Sequence, residues 1–190
     1  MHINLRKFII YKFLNSLFLG LSVGSIFVLY TPLSPSVYSI GGVLLALGML
    51  GVAKLYYKIL NINYFYKISL FVEIVLLLAI AYFLLFSYSY ETALIIYIGY
   101  QITFTFGSYL VRAETLFLKH SKPIALVDVA KQKGYLLGMM LSFIFYKTLE
   151  HYFSIVGKQE QVYAIHFLLF FVQISIIFYL IKSFRNTKIG

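Results

Sequence analysis

The chain has 190 residues, of which 62% are hydrophobic, 19% are aromatic and only 12% are charged. A soluble domain contains about half apolar and about a quarter charged residues, so this composition excludes an ordinary soluble protein and predicts an integral membrane protein. The absence of cysteine excludes disulfides, thiolate metal sites and iron–sulfur clusters, and the net charge of +10 has to be interpreted from the positions of the basic residues.

Apolar segments between charged residues predict six transmembrane helices, which leaves no room for a separate soluble domain. The fifth segment is the weakest, because its apolar run, residues 135–146, is too short for a hydrocarbon core of about 30 Å. We therefore predict that this helix begins near Pro123, a residue suited to a first helical turn. In chain order, the predicted spans cover residues 13–30, 37–53, 68–86, 92–111, 123–149 and 162–181.

Lysine and arginine are distributed unevenly between the two sides of this six-span topology. Only Lys147 and Lys158 fall on one side, and the other basic residues fall in the N-terminal segment, the second-to-third connection, the central segment and the tail. The positive-inside rule then places both termini and the central loop, about residues 112–122, in the cytoplasm. The basic charge thus reflects topology. We expect no nucleic-acid partner, because the central segment contains acids and an apolar helix start and not a clustered basic face.

Small residues recur at helical spacing in four of the six predicted helices. In lipid, such positions mark places where helix backbones approach closely. We predict helix packing at these positions, and we expect helices three and six, which have no glycine, to lie outside and face lipid. The predicted packing residues are Ser16, Gly20 and Gly24 in helix one, Gly41, Gly48 and Gly51 in helix two, Gly99 and Gly107 in helix four, and Gly134, Gly138 and Ser142 in helix five.

Along the chain, two helices with small residues are followed by one with bulky residues, and the same order then repeats in helices four, five and six. Because three spans reverse the sense of crossing, this order predicts a 3+3 inverted repeat, although glycine is also common in membrane helices generally. With the long central loop and the stretch GMLG at residues 48–51, the chain resembles the N-terminal six-helix half of a major facilitator superfamily transporter. The resemblance implies a central cavity bordered by helices one, two, four and five. Val52 stands where that family has an aspartate.

Polar residues on two predicted helices are candidates for lining an aqueous path, because polar side chains in lipid are costly unless they face the bundle interior or water. The alternative is that the hydroxyl groups bond back to their own helix and that the amides join neighbouring helices. Arg112 would lie at the cytoplasmic mouth of the path. The candidates are Asn15 and Ser22 on helix one, and Gln101, Thr105, Ser108 and Arg112 at intervals of four, three and four on helix four.

Glu73 is the only acidic residue deep within a predicted span. A lone carboxylate at membrane depth is rare and marks either an ion pair or a functional group. Lys54 and Arg112 are predicted in the same leaflet and offer a structural ion pair as one alternative, and snorkelling to the interface offers another. Glu73 is our candidate for a proton- or cation-coupling group, although the resemblance places helix three at the periphery.

These features together predict an all-α six-transmembrane-helix bundle in the cytoplasmic (inner or plasma) membrane that transports a small solute by alternating access, without enzymatic activity, cofactor or metal. The predicted partners include the lipid bilayer that surrounds the helices. A second copy of the chain in a homodimer, or a second half-transporter chain, would complete a twelve-helix arrangement. The chain can equally be part of a longer transporter. The alternatives are a non-catalytic subunit that scaffolds a membrane complex, and a lipid-processing enzyme that uses Glu114, Asp128 or His151.

Overall fold

The computed structural model describes residues 1–30 and 33–185, and these are almost entirely helical. Lys188, which we counted among the cytoplasmic basic residues, lies outside the described residues. The helices are α1 (Leu5–Leu29), α2 (Pro35–Lys54), α3 (Tyr56–Ile59), α4 (Ile62–Leu85), α5 (Tyr90–Thr105), α6 (Gly107–Leu118), α7 (Ser121–Tyr152) and α8 (Lys158–Ser183). Two short strands, β1 (His2–Ile3) and β2 (Phe184–Arg185), pair antiparallel.

Five helices are long and apolar enough to cross a membrane: α1, α2, α4, the continuous pair α5 and α6, and α8. This confirms that the described chain is almost entirely helical, and five long apolar helices are what a membrane-embedded protein requires. The remaining predicted span corresponds to α7, which has 32 residues and is about 48 Å long at about 1.5 Å per residue. Its N-terminal half carries Lys122, Asp128, Lys131 and Lys133, so its composition differs from that of the other five. The six-span count stays a prediction.

The predicted helix four consists of two segments, because the chain bends at Phe106 between α5 and α6. The Phe106 amide donates to the carbonyl oxygen of Thr103, which is a tighter turn than that of an α-helix. The hydroxyl groups of Thr103 and Thr105 donate back to the carbonyl oxygens of Tyr100 and Gln101. Threonine hydroxyls that bond back in this way bend helices, which accounts for the break.

Helices α1 and α7 run parallel and make the closest contact in the bundle. The backbone of Phe13 lies beside Gly134, and that of Leu17 lies beside Gly138 further along α7. A Cβ atom placed on Gly20, Gly134 or Gly138 would collide with backbone atoms of the opposite helix. These three of the predicted packing residues therefore form one seam, where the small side chains allow the two backbones to meet.

The other small residues have different surroundings. A Cβ on Gly41 would meet the Tyr97 ring, one on Gly48 would meet Thr105, and one on Gly99 would meet Ala79 at 3.5 Å. Gly24 approaches only the Tyr146 ring, at 3.9 Å, and Gly51 and Gly107 have open space. Ser142 is buried and Ser16 is half-buried. Most of the predicted small residues thus accommodate side chains or nothing, and do not mark backbone contacts.

The expectation that helices three and six lie outside the bundle is wrong. Helix six is α8, which packs against α1, α4 and α7, and helix three is α4, which packs against α5, α6 and α8. The most peripheral of the five candidate spans is α2, of which 6% is buried, against 39% for α4 and 33% for α8. Bulky side chains fill the space between helices at ordinary separations, so the absence of glycine excludes close backbone approach but not a central position. The buried face of α8 consists of Val162, Ile165, His166, Leu169, Gln173, Ile176, Leu180 and Ser183.

Contacts at the two ends of the bundle show the directions in which α1, α4, α7 and α8 run. The antiparallel pairing of β1 with β2 brings the start of α1 beside the end of α8, and Phe8, Phe65 and Phe184 form an aromatic cluster at that end, with ring centroids 5.6 to 6.2 Å apart. At the opposite end, Leu29 of α1 and Phe83 of α4 share one apolar cluster with Val162 near the start of α8. Hence α1, α4 and α7 run one way, and α8 runs the other.

Candidate functional site

Glu73 lies at the centre of the bundle with 1% of its surface exposed. Its Oε1 accepts hydrogen bonds from the Tyr11 hydroxyl and from Asn15 Nδ2, both at 2.9 Å. Gln173 Nε2 donates to Glu73 Oε2 at 2.8 Å and to the backbone carbonyl oxygen of Glu73 at 2.9 Å. One carboxyl group therefore joins α1, α4 and α8.

The sequence positions these donors by simple helical spacing. Tyr11 and Asn15 are four residues apart on α1, so both side chains point from one face toward α4. Gln173 lies on the buried face of α8, is fully buried, and its Oε1 has no hydrogen-bond partner within the described residues. All three donors are neutral, so they satisfy the carboxyl oxygens without cancelling a negative charge.

No lysine or arginine nitrogen of the described residues lies within ion-pair distance of Glu73, so the alternative ion pair with Lys54 or Arg112 does not form. Removing a carboxylate from water costs several kcal/mol even after relaxation of the surroundings. Hydrogen bonds offset part of this cost.

A second charged cluster lies nearer the end that carries the termini. Glu114 is 6% exposed, and its Oε2 lies 2.6 Å from Lys12 Nζ. Its Oε1 contacts Lys131, which also binds Asp128 at 3.2 Å. This cluster joins α1, α6 and α7. Both acids that we considered for a lipid-processing enzyme therefore contact the same lysine, and balance its charge together with that of Lys12.

Lys12 connects the two clusters spatially. It follows Tyr11 directly in the chain, and its ammonium group lies 5.2 Å from the centroid of the Tyr11 ring and 5.4 Å from that of Phe8. A cation over an aromatic face is stabilised by the ring quadrupole. Glu73, Tyr11, Lys12 and Glu114 thus form a nearly continuous series of polar groups from the bundle centre toward the end that carries the termini.

The predicted path residues Ser108 and Arg112 line one groove between α3 and α6, with a volume of about 780 Å³. The Arg112 guanidinium lies 5.8 Å from the centroid of the Tyr56 ring. Within the described residues it has no acidic partner. Val111, Thr115 and Leu116 form the remaining side-chain walls.

The other predicted path residues do not meet this groove. Thr105 bonds back to the carbonyl oxygen of Gln101, and the Gln101 Oε1 is buried without a partner within the described residues. Ser22 is 2% exposed and donates to the carbonyl oxygen of Leu19 at 3.2 Å, as the alternative of helix back-bonding predicted. Asn15 instead belongs to the Glu73 cluster. The structure therefore divides the six candidates among separate places and does not bring them into one path.

Ser22 also belongs to the stretch GLSVG at residues 20–24, which matches the GxSxG pattern of hydrolase nucleophiles. In those enzymes the serine occupies a sharp turn between a strand and a helix. Here the stretch lies inside α1, and the flanking Gly20 packs against α7. The match is therefore explained by helix packing and not by a nucleophile.

Sequence reasoning found Glu73 and Asn15 but missed Tyr11, Lys12 and Gln173 as their neighbours. Gln173 carried a signal, since it is an amide within an otherwise apolar stretch of its helix. Its depth also matches that of Glu73, because each lies within about two or three turns of the same predicted membrane surface. Tyr11 and Lys12 fell just before the predicted start of the first span at residue 13.

Comparisons with protein-family models, with curated proteins and with solved structures found no match to this chain. The resemblance to half of a major facilitator transporter therefore stays a prediction. The geometry around Glu73 is the main basis for a function.

Proposed function

We propose that the chain is a six-crossing protein of the cytoplasmic membrane that forms part of a small-solute transporter, with Glu73 as its protonatable coupling group. The observation that carries the proposal is the position of Glu73: it is buried between three helices, accepts hydrogen bonds from three neutral side chains, and has no described lysine or arginine within ion-pair distance. Buried acids in membrane helices commonly serve proton or ion pathways.

A proton on Glu73 changes the interactions of three helices at once. The ionised carboxylate only accepts hydrogen bonds, whereas the protonated group also donates one. The unpartnered Gln173 Oε1 is an acceptor for that donation once the amide rotates. Protonation therefore alters the contact between α4 and α8 while the bonds from α1 remain, which is how a titration at one site can shift helix packing.

The charge distribution supports six crossings with both termini in the cytoplasm. Lys147 lies near the end of α7 and Lys158 begins α8, so both lie at the end opposite the β1–β2 pair. The end that carries the pair has the remaining basic residues of the described chain, in agreement with the positive-inside rule. The parallel direction of α1 and α7 also fits the first and fifth of six consecutive crossings.

The bundle has features of one half of a larger transporter. Helix α2 is almost wholly exposed, and the neighbouring α5 carries the buried, unpartnered Gln101 Oε1. A second copy in the same orientation, or a different half-transporter chain, would cover α2 and supply the opposite wall of a solute path. The groove at Ser108 and Arg112 would then open onto the cytoplasmic side of that path.

The proposal is tested by infrared difference spectroscopy of the purified protein in lipid during a pH titration. The carbonyl stretch of a protonated carboxyl group is resolved from that of the ionised form, and Glu73→Gln identifies which band belongs to Glu73. We expect a band that appears as the pH falls and is absent from the variant. A Glu73 that keeps one protonation state across the range in which the protein stays folded would refute the coupling role.

The solute path is tested separately by labelling, because the chain has no cysteine. Single cysteines at Gln101, Thr105 and Ser108 are reacted with a membrane-impermeant maleimide in vesicles, with a cysteine at Leu78, an exposed apolar position of α4, as the lipid-facing control. An aqueous path predicts labelling at the three polar positions and none at Leu78. Protection at all three would contradict a path along this helix.

The scaffold alternative has one specific observation in its favour, namely the exposed α2 beside the unpartnered Gln101 oxygen. If α2 binds a different membrane protein, Gln101→Ala weakens a complex that copurifies with the chain and leaves the Glu73 titration unchanged. If α2 completes a transporter, the same variant changes labelling at Ser108.

A further inference from the structure

A separate cavity lies at the end of the bundle opposite the β1–β2 pair. Its volume is about 470 Å³, within the range of about 300 to 1,000 Å³ that small-molecule sites occupy. The C-terminal ends of α1 and α4 and the N-terminal ends of α5 and α8 enclose it. The apolar wall includes Leu29, Phe83 and Ile96, and the polar rim consists of Tyr88, Ser89, Thr92, Lys158 and Gln159.

The electrostatic character of this cavity is positive. Lys158 is the one charged residue in its described lining, and it forms no ion pair within the described residues. The acids in the first turns of the two adjoining helices, Glu91 and Glu160, do not line the cavity. Helices α5 and α8 both begin here, but Glu91 and Glu160 offset the partial positive charge of their N-termini, so the positive charge of the lining is that of Lys158.

Tyr88 fixes the shape of the cavity. Its backbone has φ of 63°, a conformation that non-glycine residues adopt only when the surroundings impose it. Its hydroxyl donates to the carbonyl oxygen of Gln159, and its ring meets that of Phe83 edge-on at 5.3 Å. Burial raises the pKa of Tyr88 above its usual value, so the hydroxyl stays a neutral donor. The connection between α4 and α5 is thereby tied to the start of α8.

We propose that this cavity binds an organic anion with an apolar or aromatic body, with the anionic group at Lys158 and the body against Leu29, Phe83 and Ile96. A cation would be repelled by the lysine. A fully polar solute would lose its hydrogen bonds to water at the apolar wall, where no protein group replaces them. This inference rests on the proposed transport function in one respect. It treats the ligand as a solute that binds at the end of the bundle opposite the β1–β2 pair.

The charge preference is measured without knowing the natural ligand. A single cysteine replaces Gln159 on the rim, and a second variant carries a cysteine at Val156, an exposed residue outside the cavity. Each thiol is reacted with an anionic sulfonate and a cationic trimethylammonium methanethiosulfonate of similar size. We expect the anionic reagent to react about fivefold faster and the cationic reagent about fivefold more slowly at residue 159, the factor expected of one unit charge about 4 Å from the thiol in water, so that their rate ratio is about 25-fold higher there.

Two lysine variants then assign the effect. Lys158→Gln in the Gln159→Cys chain is expected to remove the rate difference, whereas Lys147→Gln, which changes the other lysine of this end, leaves it. Sodium benzoate is expected to slow labelling at residue 159, and benzamide, its uncharged analogue, is not. Equal slowing by both compounds, or a rate ratio that does not respond to Lys158→Gln, would overturn the assignment of an anion site.

These outcomes are distinguishable from failure of the proposed function. Protection by benzoate together with a Glu73 that never titrates would leave an anion-binding protein without proton coupling. A titrating Glu73 together with no protection by benzoate would keep the coupling role and remove the anion site.

Discussion

Replacing Gly138 by alanine tests the seam between α1 and α7. An ideal Cβ on Gly138 would overlap the carbonyl oxygen of Leu17 and lie 3.0 Å from both the Cα of Gly20 and the backbone nitrogen of Leu21. All three obstacles are backbone atoms, which cannot rotate away as a side chain can. The two helices must therefore separate to accommodate one methyl group.

The expected magnitude follows from a matched control. Gly51→Ala adds the same methyl group to a helical glycine that has no heavy atom within 4 Å of the new position. Both substitutions gain the same helix propensity, about 1 kcal/mol, so this gain cancels when the two variants are compared. What remains is the cost of overpacking, about 1 to 3 kcal/mol, and the backbone obstacles place it toward the upper end.

The measurement is the free energy of unfolding in mixed micelles, titrated with sodium dodecyl sulfate. We expect Gly138→Ala to be less stable than Gly51→Ala by about 2 to 3 kcal/mol. Equal stability of the two variants would mean that α1 and α7 do not approach at Gly138, and would refute the packing on which the position of Tyr11, Lys12 and Asn15 depends.

Three further predictions use the same unfolding measurement. Glu73→Gln should change the free energy of unfolding by no more than about 1 kcal/mol, because the amide keeps an acceptor for the surrounding donors. Glu73→Leu should lower the free energy of unfolding by about 3 kcal/mol or more, since about 1 to 3 kcal/mol is lost for each buried polar group left unpaired. Glu114→Gln should cost up to about 3 kcal/mol by leaving two lysines without their shared partner, whereas Glu150→Gln, which breaks the exposed pair with Lys147, should change nothing measurable. A similar loss from both variants would contradict the burial of Glu114. Tyr88→Phe should cost about 0.5 to 1.5 kcal/mol, the net worth of one hydrogen bond. An unchanged stability would show that the bond from the Tyr88 hydroxyl to Gln159 does not form.

The sequence predicted the helical membrane class and several boundaries, because these depend on local composition. Glu73 was identified because a single acid in an apolar helix is conspicuous. Small residues at spacing four predicted close packing for α1 and for α7, but did not predict that the two helices pack against each other. These are all properties that one helix carries by itself.

What the sequence did not predict depends on which helices are neighbours. The central position of α4 and α8 was missed because we took the absence of glycine as a sign of lipid exposure. Gln173 could not be connected to Glu73, which lies 100 residues earlier in the chain, without knowing that α4 and α8 are adjacent. The division of Asn15 and Ser108 between separate sites has the same origin, because helical spacing reports a face and not its partner.

The seam between α1 and α7 also constrains how the protein is made. Gly138, the partner of Gly20, is synthesised 118 residues after it. At about 5 to 20 residues per second, α1 waits on the order of ten seconds with its glycine face uncovered. Helix α4, whose Glu73 needs Tyr11 and Asn15, is inserted during that interval. Synthesis order therefore allows Tyr11 and Asn15 to bind Glu73 before the α1–α7 pair closes, whereas Gln173 completes the cluster only afterwards.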